Sequence, residues 1–429
     1  LSVCKKIDEA AQKVIVCVLD IGEEAELGFK ETKTAAKVAK FLTELQIPCR
    51  EQIAVTGVRG EVGAGKRNVA VFGELDAVIC QGHPKMNPLN SAAHACGHNL
   101  QIGAMLAVAC GFAGNADVLN LLDGRITFFA TPAEEYIELA YRMGLREQGK
   151  IRYLGGKQEL IALGEMDDID MAMMVHAQKN DPTNKIYLGK SSNGFIGKTI
   201  RYTGKTAHAA EAPESGVNAL NAAMLGLMGI HAMRETFRDE DCIRVHPIIT
   251  KGGDLVNSVP ADVRLETYVR AKTMKAIDDV HNKVDNALRG GAMAIGAEVL
   301  IETSPGYFPL ISSLPMNDLF IENAKLDDPQ VQIEQLEHFG GSLDMGDISH
   351  IMPAIHPFVG GADGALHSQE FVVKDYETAI IRPAKVMAMT IIDLLYDGAK
   401  IADSILNDFK PVFTKAEYVA KLDSYFSRK

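Results

Sequence analysis

Four segments of the chain place metal-capable side chains just past an apolar run or at the start of a helical one. Asp76 follows NVAVFGEL, and Cys96 and His98 stand in HACGHNL, directly before the apolar stretch 100–112. Glu134 and Glu135 follow ITFFATPA, and His176 closes DMAMMV. Thiolate, imidazole and carboxylate together form the ligand set of zinc and related divalent ions. Gly97 lets the backbone bend between Cys96 and His98, so both can face one ion. A Glu-Glu pair can divide two tasks: one carboxylate binds a cation, and the other stays free to take a proton from water. His367, in HSQEF after the Gly-rich VGGADGAL, adds an imidazole ahead of the C-terminal helical part.

Taken singly, each feature has a plain structural reading. Free cysteines are among the most buried residues. Glu-Glu pairs favour helix starts, and His176 could be a satisfied core histidine. Their common position at strand ends is what outweighs those readings, because ligand sites in open α/β sheets form at the carboxyl ends of strands.

The elements that must carry these residues are legible from periodicity. Residues 33–45 have apolar side chains at helical spacing, and 100–112 reads as an apolar helix. Stretches 68–75, 125–130 and 170–175 have the length of buried strands. Strands separated by helices predict an α/β class with a mixed, mostly parallel sheet flanked by helices. From 193 to 303 the rhythm changes to strand 195–202, helix 216–237, strands 243–250 and 262–270, helix 272–288 and strand 297–302. That βαββαβ order is ferredoxin-like, bounded by the turn-rich KSSNG and TSPG. The expected organisation is a first catalytic part over 1–190, an inserted α+β domain over 191–304 and a second catalytic part over 305–429, closed by a helix over 375–396.

Composition narrows the partners. Lys and Arg number 44 against 56 Asp and Glu, a net charge of −12 that disfavours phosphate backbones and anionic membranes. Seven scattered cysteines read as reduced thiols rather than a disulfide framework. No apolar run approaches the ~20 residues of a membrane span, and no signal-like segment opens the sequence, so a cytoplasmic location is expected.

With these residues in view, the sequence resembles the M20 metallopeptidases and amidohydrolases. The segments ELGFKET, GELDA, HACGHN, TPAEE, MMVHA, GKTAHAAEAPESGVNAL, NSVPA and ALHSQEF occur in the family's order from about residue 26 to residue 371. The pattern is most similar to the M20D branch of aminoacylases, auxin-conjugate hydrolases and aminobenzoyl-glutamate hydrolase. The resemblance implies that the inserted βαββαβ unit is a lid and dimerisation domain. It implies metal ligands Cys96, His98, Glu135, His176 and His367, with Glu134 as the general base and Asp76 orienting the site from behind the ligands. It further implies that His208, in TAHAA, reaches the reacting carbonyl in a neighbouring subunit's site. Asn257 in NSVPA and Arg270 in YVRA would contact the substrate's carboxylate end, and Gly341 and Ser342 in GGSLD would line the substrate.

Many M20 members have His-x-Asp where this chain has Glu74-Leu75-Asp76. Glu74 is therefore expected in a supporting role, and His94, His350 and His356 as lining or structural residues. The implied activity is hydrolysis of the amide bond of N-acyl or N-aminoacyl amino acids, including dipeptides and aminobenzoyl-glutamate, using one or two zinc or manganese ions in a homodimer. A metallo-exopeptidase of the same fold is the alternative. A non-catalytic metal-binding protein is disfavoured, because it would be expected to lose Glu134 first.

Overall fold

The computed structural model describes residues 2–180 and 185–428. These pack as two compact units. One comprises 2–180, 185–190, 311–337 and 347–415, and the other 191–310, 338–346 and 416–428.

The first unit is built on a six-stranded sheet in the order Cys49–Ile53, Gly57–Ala64, Gly124–Thr131, Arg67–Glu74, Met171–Met173 and Ala354–Ile355. The last four strands run parallel, and the first two add an antiparallel edge. In Arg67–Glu74 every residue after Arg67 is buried, as expected of a strand covered on both faces. The His98–Phe112 helix is buried over its whole length because it is apolar on all sides. It lies against the helix Ser2–Glu23, the helix Arg382–Asp408 and the Arg67–Glu74 strand. Close approach needs small residues: a Cβ on Gly103 would come within 2.6 Å of Val18, and one on Gly111 within 2.7 Å of Val3.

Two sequence expectations shift. The run expected to end at His176 leaves the first sheet after Met173, and His176 instead opens the strand His176–Lys179, paired in parallel with Phe358–Asp363 in a second sheet. The crossing is stitched by Met174 N–H to Ile355 O at 3.3 Å and His176 N–H to Pro357 O at 2.9 Å. The C-terminal helix expected to end at residue 396 breaks there: Tyr396 to Ala399 have non-helical dihedrals, and a second helical stretch continues to Asp408.

The second unit has the sheet order Arg244–Lys251, Asp262–Ala271, Gly194–Thr203, Glu298–Pro305 and Ser427–Arg428, antiparallel throughout. Pro247 is tolerated because its strand lies at the edge. The helices Ala219–Ala232 and Met274–Ile295 pack together, with Gly291 in close approach to the backbone of Ala222 and Gly226. Asn218 caps the first through Asn221 N–H at 3.0 Å, and Thr273 the second through Ala276 N–H at 3.1 Å. The element order is the expected βαββαβ, with the short strand Ser427–Arg428 added at the far edge. No described helix is long and apolar enough to cross a membrane.

Candidate metal centre and active site

The parallel strands Gly124–Thr131, Arg67–Glu74 and Met171–Met173 are neighbours in that order. Their carboxyl ends therefore bring Glu134 and Glu135, Asp76, and His176 to one edge of the sheet. The His98–Phe112 helix starts at the same edge from Gly97, whose φ of +79° glycine adopts without strain. His367 arrives from a distant loop, tied down by its own N–H to Ala95 O at 2.8 Å.

The metal-capable atoms converge. His367 Nε2 lies 3.2 Å from Cys96 Sγ and 3.0 Å from Glu135 Oε1, and His176 Nε2 lies 3.5 Å from Cys96 Sγ. Ligand atoms within 4.8 Å of one another group Cys96 with His98 and His176, Cys96 with Glu135 and His367, and Glu74 with His98 and Glu134.

The surroundings choose the tautomers. His176 Nδ1 donates to Ala177 O at 2.7 Å, which leaves its Nε2 lone pair facing Cys96. His98 Nδ1 faces Asp76 O at 2.9 Å and Asp76 Oδ1 at 3.2 Å, so Nε2 is again the free ligand atom. Asp76 uses its other oxygen to accept Glu135 N–H at 2.8 Å. One buried carboxylate thus aligns an imidazole and the backbone of Glu135.

This donor set fits a divalent cation. His98 Nε2 and Glu135 Oε1 are buried and make no hydrogen bond of good geometry, although Glu74 and His367 stand 3.1 and 3.0 Å away. Burial, and the Glu135 carboxylate after it, push the Cys96 thiol well above its ordinary range. A cation is what such a thiol needs in order to ionise there. Burial and the neighbouring His98 lower His176 to about 4, keeping it neutral as a ligand must be. Burial opposes charge on His98 too, but Glu74 and Cys96 hold it well above the usual imidazole range.

Two supporting carboxylates, Glu74 and Glu31, have partners that the sequence did not signal. Glu74, wholly buried, lies 3.1 Å from His98 Nε2 with one oxygen and 2.6 Å from Lys157 Nζ with the other. Despite burial, Lys157 and then His98 hold its carboxyl far below the usual range. Glu31, within ELGFKET, accepts Thr56 Oγ1–H at 2.7 Å and Ala133 N–H at 2.8 Å. Ala133 has a φ of +54°, and the Arg142 guanidinium donates to its carbonyl and to those of Leu154 and Glu135. Glu31 and Arg142 therefore clamp the strained turn that presents Glu134 and Glu135. Glu134 itself sits 3.8 Å from His98 Nε2. His94 and His356 are buried with no partner for either ring nitrogen, and His350 stacks on Phe413 at 5.6 Å.

The remaining five candidates lie in the second unit, four of them as two pairs. The His208 segment bridges to Ser258, and Asn257 O accepts Ala209 N–H at 2.9 Å, so TAHAA and NSVPA form one joined loop. His208 Nδ1 accepts from Ala210 and Glu211 N–H at 3.2 and 3.0 Å, which turns Nε2 outward. Arg270 donates to Ser342 Oγ at 2.7 Å and stacks over Phe195 and Tyr268 at 5.0 and 5.4 Å. Gly341 packs so closely on Phe339 that a Cβ there would clash with its ring.

Residues 191–293 match a family model described as the peptidase dimerisation domain of the M20 group. The mouse Xaa-Arg dipeptidase is 28% identical over 430 residues, covering 95% of this chain and 91% of its own. The fold is similar to that of a dinuclear metal-binding M20 peptidase from Bacillus subtilis, with a TM-score of 0.65 and 19% identity over 90% of this chain and 99% of that one. It is also similar to the aminobenzoyl-glutamate utilization protein of Klebsiella pneumoniae, with a TM-score of 0.67 and 18% identity over 92% and 98%. With its ligand-type side chains gathered at one sheet edge and an M20-type peptidase dimerisation domain over 191–293, the chain is similar along its length to M20 metallopeptidases, and its chemistry is that of a hydrolase of amide bonds.

Proposed function

We propose that this enzyme hydrolyses the amide bond of N-acyl or N-aminoacyl amino acids, dipeptides included. The observation that carries the reading is the convergence of Cys96, His98, Glu135, His176 and His367, with Glu134 beside them. Those five residues would hold one or two zinc or manganese ions. A divalent ion bound there supplies Lewis acidity to a carbonyl oxygen and lowers the pKa of a water.

The chain's own groups do the rest. Glu134 takes the proton of the attacking water and returns it to the departing nitrogen. Asp76 keeps His98 in its ligating tautomer and fixes Glu135 through the backbone. His208, supplied by the neighbouring subunit of a homodimer, steadies the charge developing on the carbonyl oxygen. Arg270 and Asn257 hold the substrate carboxylate, since a guanidinium fork matches carboxylate geometry, and Gly341 and Ser342 line that end. The enzyme works in the cytoplasm.

A dipeptidase reading is favoured over a pure aminoacylase by the mouse relative, whose name specifies a Xaa-Arg substrate. Metal-reconstituted protein should be assayed on N-acetyl amino acids, dipeptides and aminobenzoyl-glutamate, with metal content measured on the same samples. Turnover of at least one class, and a loss of bound metal in Cys96→Ser, are expected. Full metal occupancy and activity in a Cys96→Ala, His98→Ala double variant would overturn the assignment.

A further inference from the structure

Within the second unit, the edge strand Arg244–Lys251 and its neighbour Asp262–Ala271 share a cavity of about 380 Å³ on one sheet face. That is within the size range of small-molecule sites. Its wall is ordered by the strand register. Arg244 lies directly opposite Arg270, His246 opposite Tyr268, and Ile248 opposite Glu266. One end therefore carries two guanidiniums, the middle an aromatic ring and the other end a carboxylate.

Like charges directly opposite one another across an antiparallel pair are destabilising. The Arg270 guanidinium is fixed by its stacking on Phe195 and Tyr268 and by Ser342. Arg244 donates only to the adjacent Ile243 carbonyl at 2.8 Å and, among the described residues, has no carboxylate partner. Glu266, half-buried on the same face, has no ion-pair partner among them either. Arg244 and Glu266 thus stand on one cavity wall without an ion-pair partner among the described residues, beside an Arg270 held in place by Ser342 and two rings.

We propose that this cavity binds the amino-acid half of the substrate, with its carboxylate between Arg244 and Arg270 and a basic side chain running over Tyr268 to Glu266. This rests on the amide-hydrolase reading above. Arg270 and Glu266 are four residues apart on the strand, ~13 Å at ~3.3 Å per residue. The Arg270 guanidinium reaches over the Tyr268 ring, toward Glu266, which shortens that gap. An acidic side chain would meet Glu266 with like charge, and an apolar one would desolvate its carboxylate with nothing in return. Arg244 is then a second carboxylate contact and Glu266 the specificity-determining residue.

The test combines binding with turnover on metal-loaded wild type, Arg244→Gln, Glu266→Gln and Glu266→Lys. Calorimetry uses free L-arginine, L-leucine, L-glutamate and L-argininamide; assays use Ala-Arg, Ala-Leu and Ala-Glu. Loss of one charge-assisted contact should weaken binding by roughly tenfold. Arg244→Gln should weaken L-arginine and L-leucine alike and leave L-argininamide unchanged. Glu266→Gln should weaken L-arginine alone and lower the Ala-Arg to Ala-Leu ratio of kcat/KM by about the same factor, through KM. Glu266→Lys should turn the preference toward L-glutamate and Ala-Glu. Binding of L-arginine with this dependence, without cleavage of any dipeptide, supports the subsite and defeats the hydrolase reading. Dipeptide cleavage with selectivity unchanged in Glu266→Lys, or no L-arginine binding by wild type, overturns the subsite.

Discussion

Lys157 places its ammonium 2.6 Å from the Glu74 carboxylate, with both side chains out of contact with water. The pair stands next to His98, so a charge that could compete for a cation is already neutralised from behind. Removing one partner of a buried pair strands the other charge at a cost of about 3–5 kcal/mol. Lys157→Met should therefore destabilise the fold by that amount in denaturant melts, and adding Glu74→Gln should recover much of the loss. A single variant as stable as wild type would show that the pair is not a structural element.

Glu134→Gln should lower turnover by ~10²–10⁴, the scale for loss of a general base, while bound metal stays at the wild-type level. The amide keeps the shape of the carboxylate but cannot accept the proton. Turnover within a few-fold of wild type would transfer the role to another group, with Glu135 tested next.

Burial, and then the charge of Asp76, lift the Glu31 carboxyl from 4.5 to about 7. A carboxyl raised in the fold keeps its proton where the unfolded chain has released it. Its contribution to stability therefore falls as pH rises from about 4.5 to about 7. Glu31→Gln can still accept from Ala133 N–H and pair with Thr56 without carrying charge. It should melt above wild type at pH 8, and the difference should shrink toward pH 5. A melting difference that does not change with pH would remove the buried carboxyl as its source.

In the proposed mechanism His208 acts in the partner subunit's site, and subunit mixing tests this. Inactive Glu134→Gln protein mixed with inactive His208→Ala protein under subunit exchange should regain partial activity, because one site of the heterodimer then has both residues intact. Light scattering should show a dimer at assay concentration. Proven exchange without recovered activity would place His208 in its own chain's site or in a structural role.

Much of this protein was readable without coordinates. The ligand-type residues announced themselves because each stands beside a local landmark: Asp76 and Glu134 after apolar strands, Cys96 and His98 at a glycine before an apolar helix. The βαββαβ order was equally legible, because strand and helix periods are local properties of the chain. The tertiary structure alone decided which groups stand behind those residues. Lys157 and Glu74 are 83 residues apart, and Lys157 in GGKQEL looks like a surface lysine until burial and pairing are seen. Glu31 meets Ala133 across 102 residues, and no periodicity encodes a side chain that hydrogen-bonds a distant backbone N–H. His176 was found by type but placed on the wrong side of a strand break, because leaving one sheet for another depends on which neighbour offers hydrogen bonds. The same holds for the choice of imidazole nitrogen at His98 and His176, which rests on partners brought in by the packing of the strands. Local sequence determines which chemistry is present; long-range packing determines its charge, tautomer and orientation.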